Sequence, residues 1–103
     1  TSLKTMLGKL YAQYGQPKQA VLQFNQVIQQ APTPTHLTAL QAHWHLAELF
    51  SKHKKPKQAL KHYKLLLNTA KRSKALQNIA SLYLQANQPQ KALLALKALP
   101  KSV

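Results

Sequence analysis

The sequence predicts an all-α protein of three antiparallel helical hairpins in a row. Three observations predict it. The phrase GQPKQAVLQF (15–24) returns as KKPKQALKHY (54–63) and again as NQPQKALLAL (87–96), and a repeated phrase means a repeated structural unit. Apolar residues recur at spacings of three and four almost throughout. No segment between turn signals alternates with the two-residue period of a strand.

The first helix carries Leu3, Met6, Leu7, Leu10, Tyr11 and Tyr14, with Ser2 available as its cap and Gly15 as its stop. Gln16-Pro17 opens a second helix, because proline at the first helical position gives up an N–H that has no partner there anyway. Its apolar face is Ala20, Val21, Phe24, Val27 and Ile28, and Ala31-Pro32 ends it. A corner this short turns the two helices into a hairpin. The second unit repeats the plan, with a helix from about Thr35 to Lys52, a break near Lys54-Lys55, and a partner from Pro56 to about Ala70. In the third unit Ser73 caps a helix over 74–86, Asn87 suits a left-handed corner, and Pro89 opens a last helix that stops at Leu99-Pro100.

These residues resemble the tetratricopeptide repeat. Unit one has Leu7-Gly8-x-x-Tyr11, then Gly15, Ala20, Phe24, Val27 and Pro32. Unit two has Leu46-Ala47-x-x-Phe50, Ala59, Tyr63 and Leu66, and unit three Ile79-Ala80-x-x-Tyr83, Ala92, Leu96 and Leu99. The resemblance covers essentially the whole chain. It implies one domain, an α–α superhelix with repeats over about 2–32, 35–71 and 73–100. Small Gly8, Ala47 and Ala80 would let the paired helices approach, as would Ala20, Ala59 and Ala92 from the other side, while Tyr11, Phe50 and Tyr83 fill the space between units. The interval between the first two phrases exceeds the family's usual spacing, and the extra residues are expected to lengthen the first helix of unit two.

The resemblance further implies a concave groove that holds a peptide or partner protein. Its lining would be Thr5, Lys9 and Gln13 from unit one, Gln41, Trp44, Glu48 and Lys52 from unit two, and Lys74, Gln77, Ser81 and Gln85 from unit three. The family's clamp for a peptide carboxylate is not expected. Its positions read Thr5, Lys9, Glu48, Lys74 and Asn78, of which only Lys74 matches, although Lys9 and Lys74 favour an acidic ligand. Trp44 has two readings, a core side chain packed on Leu40 and the neighbouring hairpin, or the anchor of the groove. The core reading comes first, and a register one place off the packed stripe of Ala39, Leu40, His43, Leu46, Ala47 and Phe50 keeps the other open.

Charge supplies the rival reading. Fifteen Lys or Arg face one acid, Glu48, for a formal charge of +14, and thirteen Gln stand where helical proteins commonly place Glu. Nine of the basic residues lie between Lys52 and Lys74, among them Lys54, Lys55, Lys57, Lys61, Lys64, Lys71 and Arg72. Lys57, Lys61 and Lys64 form one helical stripe opposite Leu60, Tyr63 and Leu67. Such a face attracts polyanions with salt-dependent affinity, and nonspecific binding to nucleic acid is expected. The same Lys and Gln bias runs through all three units, which argues for a solvated face rather than a specific reader. The base-reading pentatricopeptide repeat is a lesser alternative, because the spacings of thirty-nine and thirty-three break a regular register.

No enzyme is expected. A single carboxylate cannot supply an acid–base pair, and no phosphate-binding glycine loop or nucleophile elbow occurs. The absence of cysteine removes thiolate chemistry. His36, His43, His45, His53 and His62 contain no i, i+4 pair, so neither metal nor cofactor is expected. No apolar run is long enough to span a bilayer; a soluble protein of cytoplasm or periplasm is expected, the sequence leaving the choice open. The opening Thr1 suggests a processed start or an excised fragment. The leucines of the last helix (Leu93, Leu94, Leu96, Leu99) leave little polar outer face, so the chain is expected to be cut from a longer array, or this end to dock on a partner or a second copy.

Overall fold

The computed structural model describes residues 3–99. Within them the chain forms six helices: α1 (Leu3–Gln13), α2 (Pro17–Gln30), α3 (Leu37–Lys52), α4 (Pro56–Lys64), α5 (Arg72–Gln85) and α6 (Pro89–Lys97). No strand occurs among the described residues. α1 packs on α2, α3 on α4 and α5 on α6, and the three hairpins are joined through α2 against α3 and α4 against α5. Every major contact is therefore between neighbours in sequence, as a row of repeats requires.

One corner is built three times. Gly15, Lys54 and Asn87 all adopt left-handed backbone, at φ 75, 59 and 60°. The following N–H reaches back over the helix end to the same carbonyl each time: Gln16 N to Tyr11 O, Lys55 N to Phe50 O, and Gln88 N to Tyr83 O, all 2.8 Å. This is the six-to-one bond of a Schellman ending. Gln16, Lys55 and Gln88 then lead into Pro17, Pro56 and Pro89 at φ −115, −114 and −123°. A lysine in left-handed backbone costs about 1 kcal/mol that glycine avoids. Lys54→Gly is therefore expected to raise stability by about 0.5 kcal/mol after the added freedom of the unfolded chain is subtracted, read as a higher urea midpoint at unchanged slope.

Two apolar clusters hold the row together. Ala20, Phe24 and Val27 of α2 meet Ala42, Leu46 and Leu49 of α3. Ala47, Ala59, Tyr63 and Leu66 meet Ala75, Ile79 and Leu82 of α5. Phe50 packs against both clusters and so joins them. The small residues sit where the helices come closest: Ala20, Ala47 and Ala59 are fully buried, and a Cβ on Gly8 would lie 2.8 Å from Cε1 of Phe24. Only Thr5 among polar side chains is buried in the described residues.

Several expected boundaries differ. α4 ends at Lys64 rather than near Ala70, because the chain tightens into three-residue turns: Leu66 N bonds Tyr63 O, Leu67 N bonds Lys64 O and Thr69 N bonds Leu66 O. The Thr69 hydroxyl also donates to Leu66 O at 2.6 Å, competing with the helical ladder as threonine side chains do. Ser73 does not cap α5. The helix starts at Arg72 with Lys71 as its N-cap residue, and Thr69 Oγ1 accepts from Lys71 N instead, at 3.1 Å. The longer first interval does not lengthen α3 as expected: α3 has 16 residues against 14 in α5, whereas α2 has 14 against 9 in α4. α3 begins at Leu37, where His36 Nδ1 accepts from Thr38 N, and α6 ends at Lys97. A cap by Ser2 and the stop at Pro100 lie outside the described residues.

Candidate binding groove and basic face

The corner register puts equivalent residues of each hairpin at equivalent places. Thr5, Trp44 and Gln77 share one position, Lys9, Glu48 and Ser81 a second, and Gln13, Lys52 and Gln85 a third. Between α1, α3 and segment 65–71 lies a cavity of about 520 Å³, walled by Thr5 and Lys9 of α1, Gln41 and Trp44 of α3, and Leu66, Thr69 and Lys71 of the segment. A second cavity of about 340 Å³ shares Lys9 and His45 with the first and adds Gln13, Glu48 and Lys52. Seven of the expected groove residues thus line one continuous strip. Lys74, Gln77 and Ser81 are exposed on α5 and line neither cavity, and Gln85 lines a separate hollow with Ser51, Lys54 and Pro56.

Trp44 belongs to both core and groove. Its ring meets Tyr63 edge-on, centroids 5.4 Å apart, and packs against the α3–α5 cluster, yet it remains half-buried and lines the cavity. Lys71 Nζ lies 5.5 Å from the ring centroid, within cation–π range. Burial, with the Glu48 charge as a smaller cause, pushes the Tyr63 phenol up to about 12. Tyr63 is therefore a neutral packing partner at any working pH.

The groove carries more positive than negative charge. Lys9, Lys52 and Lys71 line it against Glu48 alone. His45 stacks on Phe24 with centroids 5.4 Å apart, and its Nδ1 lies 3.6 Å from Glu48 Oε1. Burial lowers its pKa; Glu48 opposes that shift, and Lys9 and Lys71 add to it. His45 adds little charge at neutral pH.

Lys71 is the main reassignment. The sequence places it on the basic surface, whereas the turn after α4 brings it over Trp44. The wall made by Leu66, Thr69 and Ala70 was not foreseen either. The one local signal was Thr69, a residue type that bonds nearby backbone and ends helices. The rest of the basic face is as spread out as its helix requires: Lys57, Lys61 and Lys64 are exposed on α4, with Lys54 and Lys55 exposed at the corner. Arg72 Nη1 donates to Leu67 O at 3.0 Å, so this guanidinium also braces the turn.

Inside the second hairpin, His43 Nδ1 and His62 Nδ1 are 2.8 Å apart, and Phe50 stacks on His62. This bond needs one nitrogen to donate and the other to accept, so two imidazolium rings cannot form it. Burial, then His43 and Lys61, hold His62 down at about 4, and burial with Lys61 lowers His43. Between pH 6.5 and about 4 the unfolded chain therefore binds more protons at His62 than the folded one. The His62 contribution to stability is full above pH 6.5 and is lost as pH drops through that window. With partial solvent exposure discounted, the His62 share is about 1 kcal/mol. Thermal melts are expected to show the fall, and His62→Gln to flatten it.

Among the described residues no three His, Cys, Asp or Glu side chains gather as a metal site, and no helix is long and apolar enough to cross a membrane. No protein-family model, curated protein or solved structure matches this chain.

Proposed function

We propose that this chain is a noncatalytic binding domain, a superhelix of three tetratricopeptide-like hairpins that holds a peptide or a segment of a partner protein in the groove between α1, α3 and segment 65–71. The observation that carries the reading is Trp44, half-buried in the wall of a cavity of about 520 Å³ that Lys9 also lines, with Lys71 over its ring. An aromatic ring fixed from behind and open in front offers a large contact area at small entropic cost, which is how a few residues come to dominate binding energy. The lysines select a ligand with carboxylates beside an apolar side chain. The triple corner and the chain of neighbour contacts support the superhelix.

Selection of a random peptide library on the immobilised protein tests this. Acidic peptides with an apolar residue are expected to be enriched, and their Kd to rise about tenfold on Trp44→Ala or Lys9→Ala. Charge reversal at Lys57, Lys61 and Lys64 should change it by no more than about twofold at physiological salt. The opposite pattern would move the site to α4.

A second reading rests on that α4 stripe, which has no acid beside it. It is a polyanion surface, and it predicts that the triple reversal reduces both the affinity for single-stranded RNA and the slope of affinity against salt. Binding to RNA and duplex DNA alike that collapses toward physiological salt would mean that the +14 charge acts only as a polycation.

A further inference from the structure

The corner register lets each position be compared across the three units, and burial then shows what the two ends of the row lack. Phe24 and Val27 of α2 are 1 and 5% exposed, and Tyr63 of α4 and Leu66 just after it are 3 and 1% exposed, because the next hairpin covers them. Their equivalents at the end of the row are Leu96 of α6, 43% exposed, and Leu99 just after it, half-buried. The other end shows the converse. Ala42, Leu46 and Leu49 of α3 and Ala75, Ile79 and Leu82 of α5 are all buried beneath the preceding hairpin. Their equivalents in α1 are Leu3, Leu7 and Leu10, exposed by 82, 39 and 48%.

The two ends are therefore the two halves of one interface, which the molecule already builds twice within itself. α6 presents the face that α2 and α4 use, and α1 presents the face on which they dock. We propose that the occupant of each face is a second copy of this chain, with α6 of one molecule docked on α1 of the next, so that the row of hairpins continues head to tail. Each face is apolar at the positions that its internal counterparts bury. Lys91 and Lys97 of α6 fall at places equivalent to exposed Gln19, Gln58, Asn25 and Lys64. Lys4 alone puts a cation at a place that is covered elsewhere, and its stem lets the ammonium reach water. The contact is heterologous, so it makes open chains or larger rings rather than a twofold dimer.

The same register separates neighbouring leucines. Leu93 is equivalent to the half-buried Val21 and Leu60, whereas Leu94 is equivalent to the exposed Leu22 and Lys61. Leu94 therefore points away from the proposed contact although it is the more exposed of the two, at 67 against 52%. Mutual repulsion of molecules with charge +14 opposes the contact. Association should strengthen with salt, the reverse of polyanion binding.

Sedimentation equilibrium at about 0.5 M salt, where the Debye length is about 4 Å, tests the proposal. The average mass of the wild type is expected to climb from 11.6 kDa past the dimer as concentration rises. Leu7→Lys and Leu96→Lys should each stay monomeric, while an equimolar mixture of the two forms a dimer that grows no further, one intact tail on one intact head. Leu94→Lys should associate like the wild type. Helical circular dichroism verifies folding, and Leu10→Lys and Leu93→Lys replace either blocking variant that fails to fold. A wild type that stays monomeric at every concentration overturns the proposal. So does a Leu7→Lys protein that still pairs with itself, or a Leu94→Lys change as damaging as Leu96→Lys.

Discussion

Phe24→Ala is expected to lower the unfolding free energy by about 3–5 kcal/mol, a large part of the roughly 5–15 kcal/mol that a domain of this kind has. Phe24 is 1% exposed and is among the largest fully buried side chains of the fold. From α2 it touches both neighbouring elements: it fills the space left by Gly8 in α1, stacks on His45 of α3, and belongs to the α2–α3 cluster with Leu46 and Leu49. Truncation removes the ring from both the hairpin and the joint between hairpins. The cavity is poorly placed to collapse, because the surrounding helices are tied at the Gly15 corner and by the loop after α2. Equilibrium unfolding in urea, followed by helical circular dichroism, measures the loss. A cost below about 1 kcal/mol would mean that the first hairpin is not packed as described.

Gly8→Val is expected to cost about 2–3 kcal/mol, the range of overpacking in a filled core. The Cβ alone would stand 2.8, 3.0 and 3.1 Å from Cε1, Cζ and Cδ1 of Phe24, closer than carbon atoms pack. The ring has little room to withdraw, since His45 stands against it. Gly8→Ala should cost about 1 kcal/mol, the better helix propensity of alanine offsetting part of the clash. The two sites are coupled. In a Phe24→Leu background, where the ring is gone, Gly8→Ala is expected to be neutral or stabilising, so the double-mutant cycle should give an interaction energy of about 1 kcal/mol or more. Additive costs would sink this account of Gly8.

Much of this was legible in advance because it is written in local signals. Proline at 17, 56 and 89 marks helix starts, the turn residues before them mark corners, and the spacing of Ala20, Phe24, Val27 and their counterparts marks a packed face. Lys54 shows the strength of the pattern: a residue poorly suited to left-handed backbone still takes it, because the helices on either side require the same corner. The end of α4 was not legible. Its residues through Leu67 continue a helical stripe, and the tightened turns after Lys64 are favoured by the burial of Leu66 and by the Thr69 hydroxyl, neither of which periodicity reports. The groove was half legible. Repeat register placed Lys9, Trp44 and Glu48, but the wall formed by segment 65–71, with Lys71 over Trp44, depends on where that turn points.

The α1 stripe marks the division between the two kinds of information. Leu3, Met6, Leu7 and Leu10 give α1 one apolar face that Tyr14 continues just past its end, and any reading of spacing alone would bury it. The tertiary structure instead seats α1 on α2 through Gly8, with Thr5 buried, and leaves those five side chains exposed. By itself, then, the sequence determined the helices, the corners and the number of hairpins, because backbone geometry and amphipathic spacing are properties of short stretches of chain. Which apolar face meets another, which lysine stands over the tryptophan, and that the two ends of the row are matching halves were decided only in three dimensions, because burial depends on neighbours that no local stretch contains.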